Sequence, residues 1–233
     1  MRKILIIGAF FEEVRYLIKK LNPQKIGTNL WYKKEKHSEI YIFLCGIGLK
    51  TAKKRMKRIK TILTNIDIVY IAGITGACNP SLKKGDIIYP TKLYIENPKG
   101  EFIFLSIPKE IKDIVKSGTH YSSKKFIDKK LKEVLLEKYE IDTVDMEFGA
   151  IYPFIKDKKI YYLKTICDEI NTSIPPFWLM RVNFSSYPIK RILKEFIKQP
   201  LNMTKNLIRA VIFTINIKNS TLHSQKIIWK LIR

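Results

Sequence analysis

Apolar residues recur along the chain in two rhythms. Compact, mostly β-branched runs at residues 3–7, 39–44, 67–72, 87–95 and 159–166 read as strands buried on both faces. A run at 30–33 pairs with 39–44, and one at 101–105 turns back on 87–95. Residues 113–118 and 142–144 add two further short strands. Segments 12–20, 51–63 and 124–139 instead repeat their apolar positions at helical spacing, and Asn22-Pro23 stops the first of them. Small-residue stretches follow the strands at Gly8-Ala9, Cys45-Gly46-Ile47-Gly48 and Gly73-Ile74-Thr75-Gly76-Ala77, and each reads as a turn. Alternating strands and helices predict an α/β fold.

The rhythm changes after Pro175-Pro176. Residues 187–198, 203–218 and 222–233 read as three amphipathic helices, separated by Pro200 and by Asn219-Ser220. Their polar faces carry Lys190, Arg191, Lys194, Lys205, Arg209, Lys218, Lys226 and Lys230 against one acid, Glu195. The expected division is therefore an α/β domain over 1–175 and a basic helical extension over 176–233, packed on the domain or attached to it. Such helices either lie on an anionic membrane surface through 186–233 or pack on the sheet with their lysines outward.

Charge sharpens this picture only in part. The formal net charge is +23, from 44 Lys and Arg against 21 Asp and Glu. An anionic partner fits such a balance. The lysines are spread along the whole chain, so a Lys-rich composition explains much of it. No aromatic-interleaved basic motif of the kind that reads bases is present, and no specific nucleic acid is expected. Cys45, Cys78 and Cys167 are scattered, and His37, His120 and His223 form no ligand pattern, so neither a disulfide framework nor a metal site is expected. The start, Met1-Arg2-Lys3 followed by apolar residues, is broken by Glu12 and Glu13 and reads as a first strand. No apolar run approaches the ~18 residues needed to cross a bilayer. A cytoplasmic location is expected, with the inner face of the membrane as its peripheral variant.

Three acids stand at strand ends: Glu13 after the first strand, Glu147 at the start of the helix after 142–144, and Asp168 closing 159–166. Sites in open α/β sheets gather at the carboxyl edge of the strands. A carboxylate in a helix's first turn is also steadied by the backbone dipole, and for a lone Glu147 that would suffice. Three carboxylates sharing one cleft suit cleavage of a glycosidic bond, where one protonates the leaving group and another activates the nucleophile.

The order of short motifs carries a resemblance. Ile6-Ile7-Gly8-Ala9, then Glu12-Glu13-Val14, is followed by Gly46-Ile47-Gly48. Next come Gly73, Gly76, Pro80, Leu82-Lys83 and Gly85-Asp86-Ile87, and finally Asp145-Met146-Glu147 and Cys167-Asp168. Over 3–168 this order resembles the purine nucleoside phosphorylase and nucleosidase family, with the methylthioadenosine/S-adenosylhomocysteine nucleosidases nearest. The resemblance implies a three-layer fold, a mixed and partly closed sheet flanked by helices, in dimers or higher oligomers. It implies that Glu13 positions the attacking water and that Asp168 protonates purine N7. Met146 and Glu147 would hold the sugar and its two hydroxyls, Tyr121 would stack on the base, and Thr75, Gly76 and Gly8 would border the substrate. No cofactor is implied, although inorganic phosphate remains an alternative to water as nucleophile. The three basic helices depart from the family's usual single C-terminal helix. With Pro175-Pro176 they are similar to hopanoid-associated phosphorylases, which remove adenine from an adenosyl lipid. A binding protein without catalysis, acting through the basic surface on RNA or membrane, is the competing reading.

Overall fold

The computed structural model describes residues 1–95, 99–172 and 200–233. Ten strands form one mixed sheet. They are β1 (Arg2–Gly8), β2 (Gln24–Gly27), β3 (Leu30–Lys34), β4 (Ser38–Leu44) and β5 (Ile68–Ala77), followed by β6 (Ile87–Ile95), β7 (Phe102–Phe104), β8 (Lys116–Ser122), β9 (Thr143–Asp145) and β10 (Lys159–Asp168). The order is β10-β6-β8-β9-β5-β1-β4-β3-β2, with β7 on β6. Strand β10 also pairs in parallel with β5, over Lys159↔Ile68 to Asp168↔Gly76. That second pairing closes one half of the sheet into a barrel-like ring, and β1, β4, β3 and β2 continue as an open wing. The sheet is thus mixed and partly closed.

Helices α1 (Arg15–Leu21), α2 (Leu49–Arg58), α3 (Lys60–Leu63), α4 (Lys129–Tyr139), α5 (Phe148–Ile151) and α6 (Pro200–Ile232) flank it. The central strands bury nearly every side chain: Ile4, Leu5, Ile6 and Ile7 of β1 and Tyr162 and Leu163 of β10 are at most 1% exposed. Strands covered by helices on both faces have no wet side to give to polar residues, which is why their sequence is apolar without alternation. Asp128 caps α4, accepting a hydrogen bond from the Leu131 backbone N–H at 2.9 Å.

Several elements differ from the expected ones. The small-residue stretch Gly73 to Ala77 is strand, not turn, because β10 and β9 continue to pair with it. The strand expected at 113–118 lies at Lys116–Ser122, and α4 begins at Lys129, after an irregular stretch. Edge strand β2 carries only exposed positions and left no apolar pattern. The helices expected at 203–218 and 222–233 are one continuous helix, α6. Asn219-Ser220 does not break it because Ser220 is buried, its hydroxyl donating to the Ile166 carbonyl at 3.2 Å. Gln225 similarly reaches α1, accepting from the Tyr16 N–H at 2.7 Å. Ile228 and Ile232 join the main core. The helix expected at 187–198 and the boundary at 175–176 lie outside the described residues.

Candidate active site

The carboxyl ends of β1, β5, β9 and β10 surround one cleft of about 810 Å³, its open mouth included. Glu13, Thr75, Gly76, Met146, Glu147 and Asp168 all wall it. The sheet therefore brings together three acids separated by 134 and 21 positions of sequence (13 to 147, 147 to 168).

Glu13 sits on a short 3-10 turn, Phe11–Glu13, just beyond β1, and is 1% exposed. Its carboxylate accepts from the Ala9 backbone N–H and, at 3.0 Å, from that of Ile74. Gly73 permits this approach: at φ +144°, a Cβ there would lie 2.5 Å from a Glu13 oxygen. Burial pushes the Glu13 carboxyl up to about 7; the Lys164 charge pulls against this and the Glu147 charge adds to it.

Glu147 occupies the N-cap of α5, one step before the helix. One oxygen accepts from the Gly48 N–H at 3.1 Å and the other from Lys164 Nζ at 3.1 Å. Lys164 also donates to Asp145 at 2.7 Å, and both side chains are almost without exposure. Burial opposes charge on Lys164, but Asp145 and Glu147 hold its ammonium well above its ordinary range. Burial likewise opposes the Asp145 carboxylate, but Lys164 and His120 hold it well below the usual range. Asp145 further accepts from the Ser122 hydroxyl at 2.6 Å and from the Phe148 N–H at 3.2 Å, which fixes the turn that aims Glu147.

Asp168 ends β10, with Oδ2 accepting from Lys132 Nζ and Oδ1 lying 2.9 Å from Cys167 Sγ. Thr75 donates its hydroxyl to the Val144 carbonyl at 2.8 Å, so it ties β5 to β9 at the cleft wall.

Two expected residues stand elsewhere. Tyr121 is buried in a cluster with Cys78, Tyr94, Ile127 and Val144, next to the cleft wall formed by Ile127 and by Val144, the register partner of Tyr121. The aromatic walls are Phe10, Phe126 and Phe213. Gly8 lies beneath the turn bearing Glu13, where a Cβ would meet Val14 at 2.9 Å. Lys132, Lys164, Phe126, Ile127, Phe213 and Ile217 were not among the residues expected at the site. Among the described residues no group of three or more His, Cys, Asp or Glu is placed to hold a metal.

No known family profile matches the chain. It is 37% identical over 94 residues to the 5′-methylthioadenosine/S-adenosylhomocysteine nucleosidase of Buchnera aphidicola; the matched stretch covers 39% of this chain and spans 40% of that relative's length. The fold matches over nearly the whole length. The futalosine hydrolase structure from Helicobacter pylori aligns with TM-score 0.71 at 16% identity, covering 99% of this chain and 97% of that one. A putative 5′-methylthioadenosine/S-adenosylhomocysteine nucleosidase from Borrelia burgdorferi, bound to adenine, aligns with TM-score 0.70 at 21% identity, covering 99% of each. The chain has the nucleoside phosphorylase and nucleosidase fold. The matched span takes in the C-terminal helix α6.

Proposed function

We propose that the chain is a purine nucleosidase that cleaves the N-glycosidic bond of an adenine nucleoside and releases adenine. The observation that carries this reading is the placement of Glu13, Glu147 and Asp168 around one cleft. A carboxylate with an affinity near 7 is matched to removing a proton from water at neutral pH, which assigns Glu13 as general base. Glu147, steadied by Gly48 and Lys164, offers acceptors to the two ribose hydroxyls, each of which has a proton to donate. Asp168 faces the base and delivers a proton to N7, so adenine leaves neutral. Met146 lies against the sugar, and Phe126 supplies the aromatic wall that Tyr121 does not.

Water is favoured over phosphate as nucleophile. The cleft presents four carboxyl groups, at 13, 145, 147 and 168, and a phosphate dianion would meet repulsion from them. Three of the donors near the cleft are already engaged: Lys164 by two carboxylates, Lys132 by Asp168, and Thr75 by a carbonyl.

A second reading concerns the 5′ substituent. Phe213 and Ile217 of α6 wall the cleft, while Ile208, Val211, Ile212 and Ile215 of the same helix are more than half exposed. That stripe lies on the face of α6 opposite the cleft, and with Lys205 and Arg209 beside it suits contact with an anionic membrane surface. This favours an adenosyl lipid of the hopanoid kind, presented at an anionic membrane surface. Among the described residues no helix is long and apolar enough to cross a membrane. The test is adenine release from methylthioadenosine, adenosylhomocysteine and an adenosyl lipid, each with and without phosphate. Release without phosphate supports the hydrolytic reading, and preference for the lipid supports the second. Absence of base release from all three in both conditions rejects the assignment. Tight, steeply salt-dependent polyanion binding unaffected by Glu147→Gln would then favour a non-catalytic binding protein.

A further inference from the structure

Lys132 is the fourth residue of α4, at the end of its first turn, and is 2% exposed, while its neighbour Leu131 is 41% exposed. This inverts the usual arrangement of an amphipathic helix, in which leucine turns inward and lysine outward. Its ammonium donates to Asp168 Oδ2 at the cleft wall. Gly76 leaves room for the pair: a Cβ there would come within 2.9 Å of that oxygen and 3.2 Å of the Lys132 nitrogen. Burying an ion pair seldom stabilises a fold, since the lost hydration offsets the attraction. The placement therefore calls for a role beyond packing.

The leaving base poses a complementary problem. To leave neutral it must gain a proton at N7. Here both oxygens of Asp168 already accept hydrogen bonds, from Lys132 and from the Cys167 thiol. No proton on Asp168 is needed to explain either contact. Other titratable groups beside the pair do not supply one. Burial holds the Cys78 thiol up at about 12 and the Cys167 thiol well above its ordinary range. Asp142 is engaged by Asn79 and by the Thr119 N–H, at 2.7 and 2.8 Å. Lys125 stands at the cleft wall with the pair, and Glu13 is committed to the nucleophile.

We propose that Lys132 supplies, through Asp168, the proton that neutralises the departing purine. This rests on the nucleosidase reading above and deepens it. As the C1′–N9 bond breaks, its electron pair passes into the purine and N7 becomes basic. A proton moves from the Asp168 carboxyl to N7 while the Lys132 ammonium gives up a proton to Asp168. Water adds to C1′, and Glu13 takes the proton that water loses. The products are the ribose with its 5′ substituent and neutral adenine; Lys132 is left as an amine and Glu13 as a carboxylic acid. Exchange with solvent after release restores both. Lys132 acts through Asp168, so it is a positioning residue that also stores the proton.

The test uses Lys132→Arg, which keeps the charge and the ion pair but does not surrender a proton, and Lys132→Met, which removes both. Each is assayed on the best adenosyl substrate and on 4-nitrophenyl riboside, whose leaving group departs as a stabilised anion. The expected result is a fall of about a hundredfold or more in adenine release relative to nitrophenol release in both variants. In Lys132→Met the adenine reaction should recover toward acid pH, because Asp168 then draws its proton from solvent. An unchanged ratio in Lys132→Arg, or an unchanged pH profile in Lys132→Met, overturns the proposal. A variant that lowers both reactions together leaves their ratio unchanged and counts against the proposal. If the wild-type protein frees no base from any adenosyl compound, it is the nucleosidase reading that fails.

Discussion

Two buried lysines anchor the two ends of the cleft, and they are wired differently. At the sugar end Lys164 is shared by Asp145 and Glu147, and Asp145 is held again by Ser122, the Phe148 N–H and the nearby His120. At the base end, among the described residues, Lys132 has one carboxylate partner, Asp168, and the remaining oxygen there meets a thiol. The first arrangement carries excess negative charge and many hydrogen bonds, so it fixes geometry. The second is balanced one to one and poor in other contacts, so a proton can cross it without leaving an unpaired charge behind. The difference separates a part that holds the substrate from a part that changes protonation state during turnover.

The contrast can be broken hardest at Lys164. Lys164→Met leaves Asp145 and Glu147 buried without a cation, and a broken buried pair costs about 3–5 kcal/mol. Thermal unfolding should show a fall of roughly 6–20 °C for a chain of this size. Lys132→Met should cost less, about 1–3 kcal/mol, because Asp168 can take up a proton when its partner is gone. Equal losses from the two substitutions would erase the distinction.

Glu13 sharpens the same comparison through pH. Its carboxyl is raised from 4.5 to about 7, so the folded chain holds a proton there that the unfolded chain has lost. That contribution to stability is complete below pH 4.5 and disappears as pH rises through about 7. Glu13→Gln should remove the slope, and the stability difference between wild type and variant should move by up to ~3 kcal/mol in the variant's favour between pH 4.5 and 8. Denaturant titrations at the two pH values measure it. The same ionisation predicts kcat/KM rising through about pH 7, because the carboxylate is the base. The smallest effect is expected on α6. Ile212→Asp, at an exposed position, should change stability by no more than about 0.5 kcal/mol. It should lower turnover only of a substrate with a long apolar 5′ group.

The sequence pattern revealed the parts of the molecule that repeat. Strands β1, β4, β6 and β10 follow from continuous apolar runs, and the three acids follow from their places at strand ends. The lysines did not stand out. In a chain with 44 basic residues, Lys132 and Lys164 look like any solvated position, and their partners lie 36 and 17 to 19 residues away. Only the sheet's closure through β10 and β5 brings them inside. The stretch from Gly73 to Ala77 misleads for a related reason. Its small residues resemble a turn, but they are strand positions kept small to clear Glu13 and Asp168. Ser220 looked like a helix break because its partner, the Ile166 carbonyl, belongs to another element. Tyr121 was placed at the base by motif position, and the register of β8 with β9 sets it beside the cleft-lining Val144 and Ile127.

The account's central claim is that the cleft acts as one machine on an adenine nucleoside. The most direct measurement compares adenine release by the wild-type protein and by Asp168→Asn, on whichever adenosyl compound the wild type turns over fastest. The account predicts release by the wild type and a loss of about 10²–10⁴-fold in the variant, the span expected for a lost general acid. Equal rates in the two proteins would contradict it.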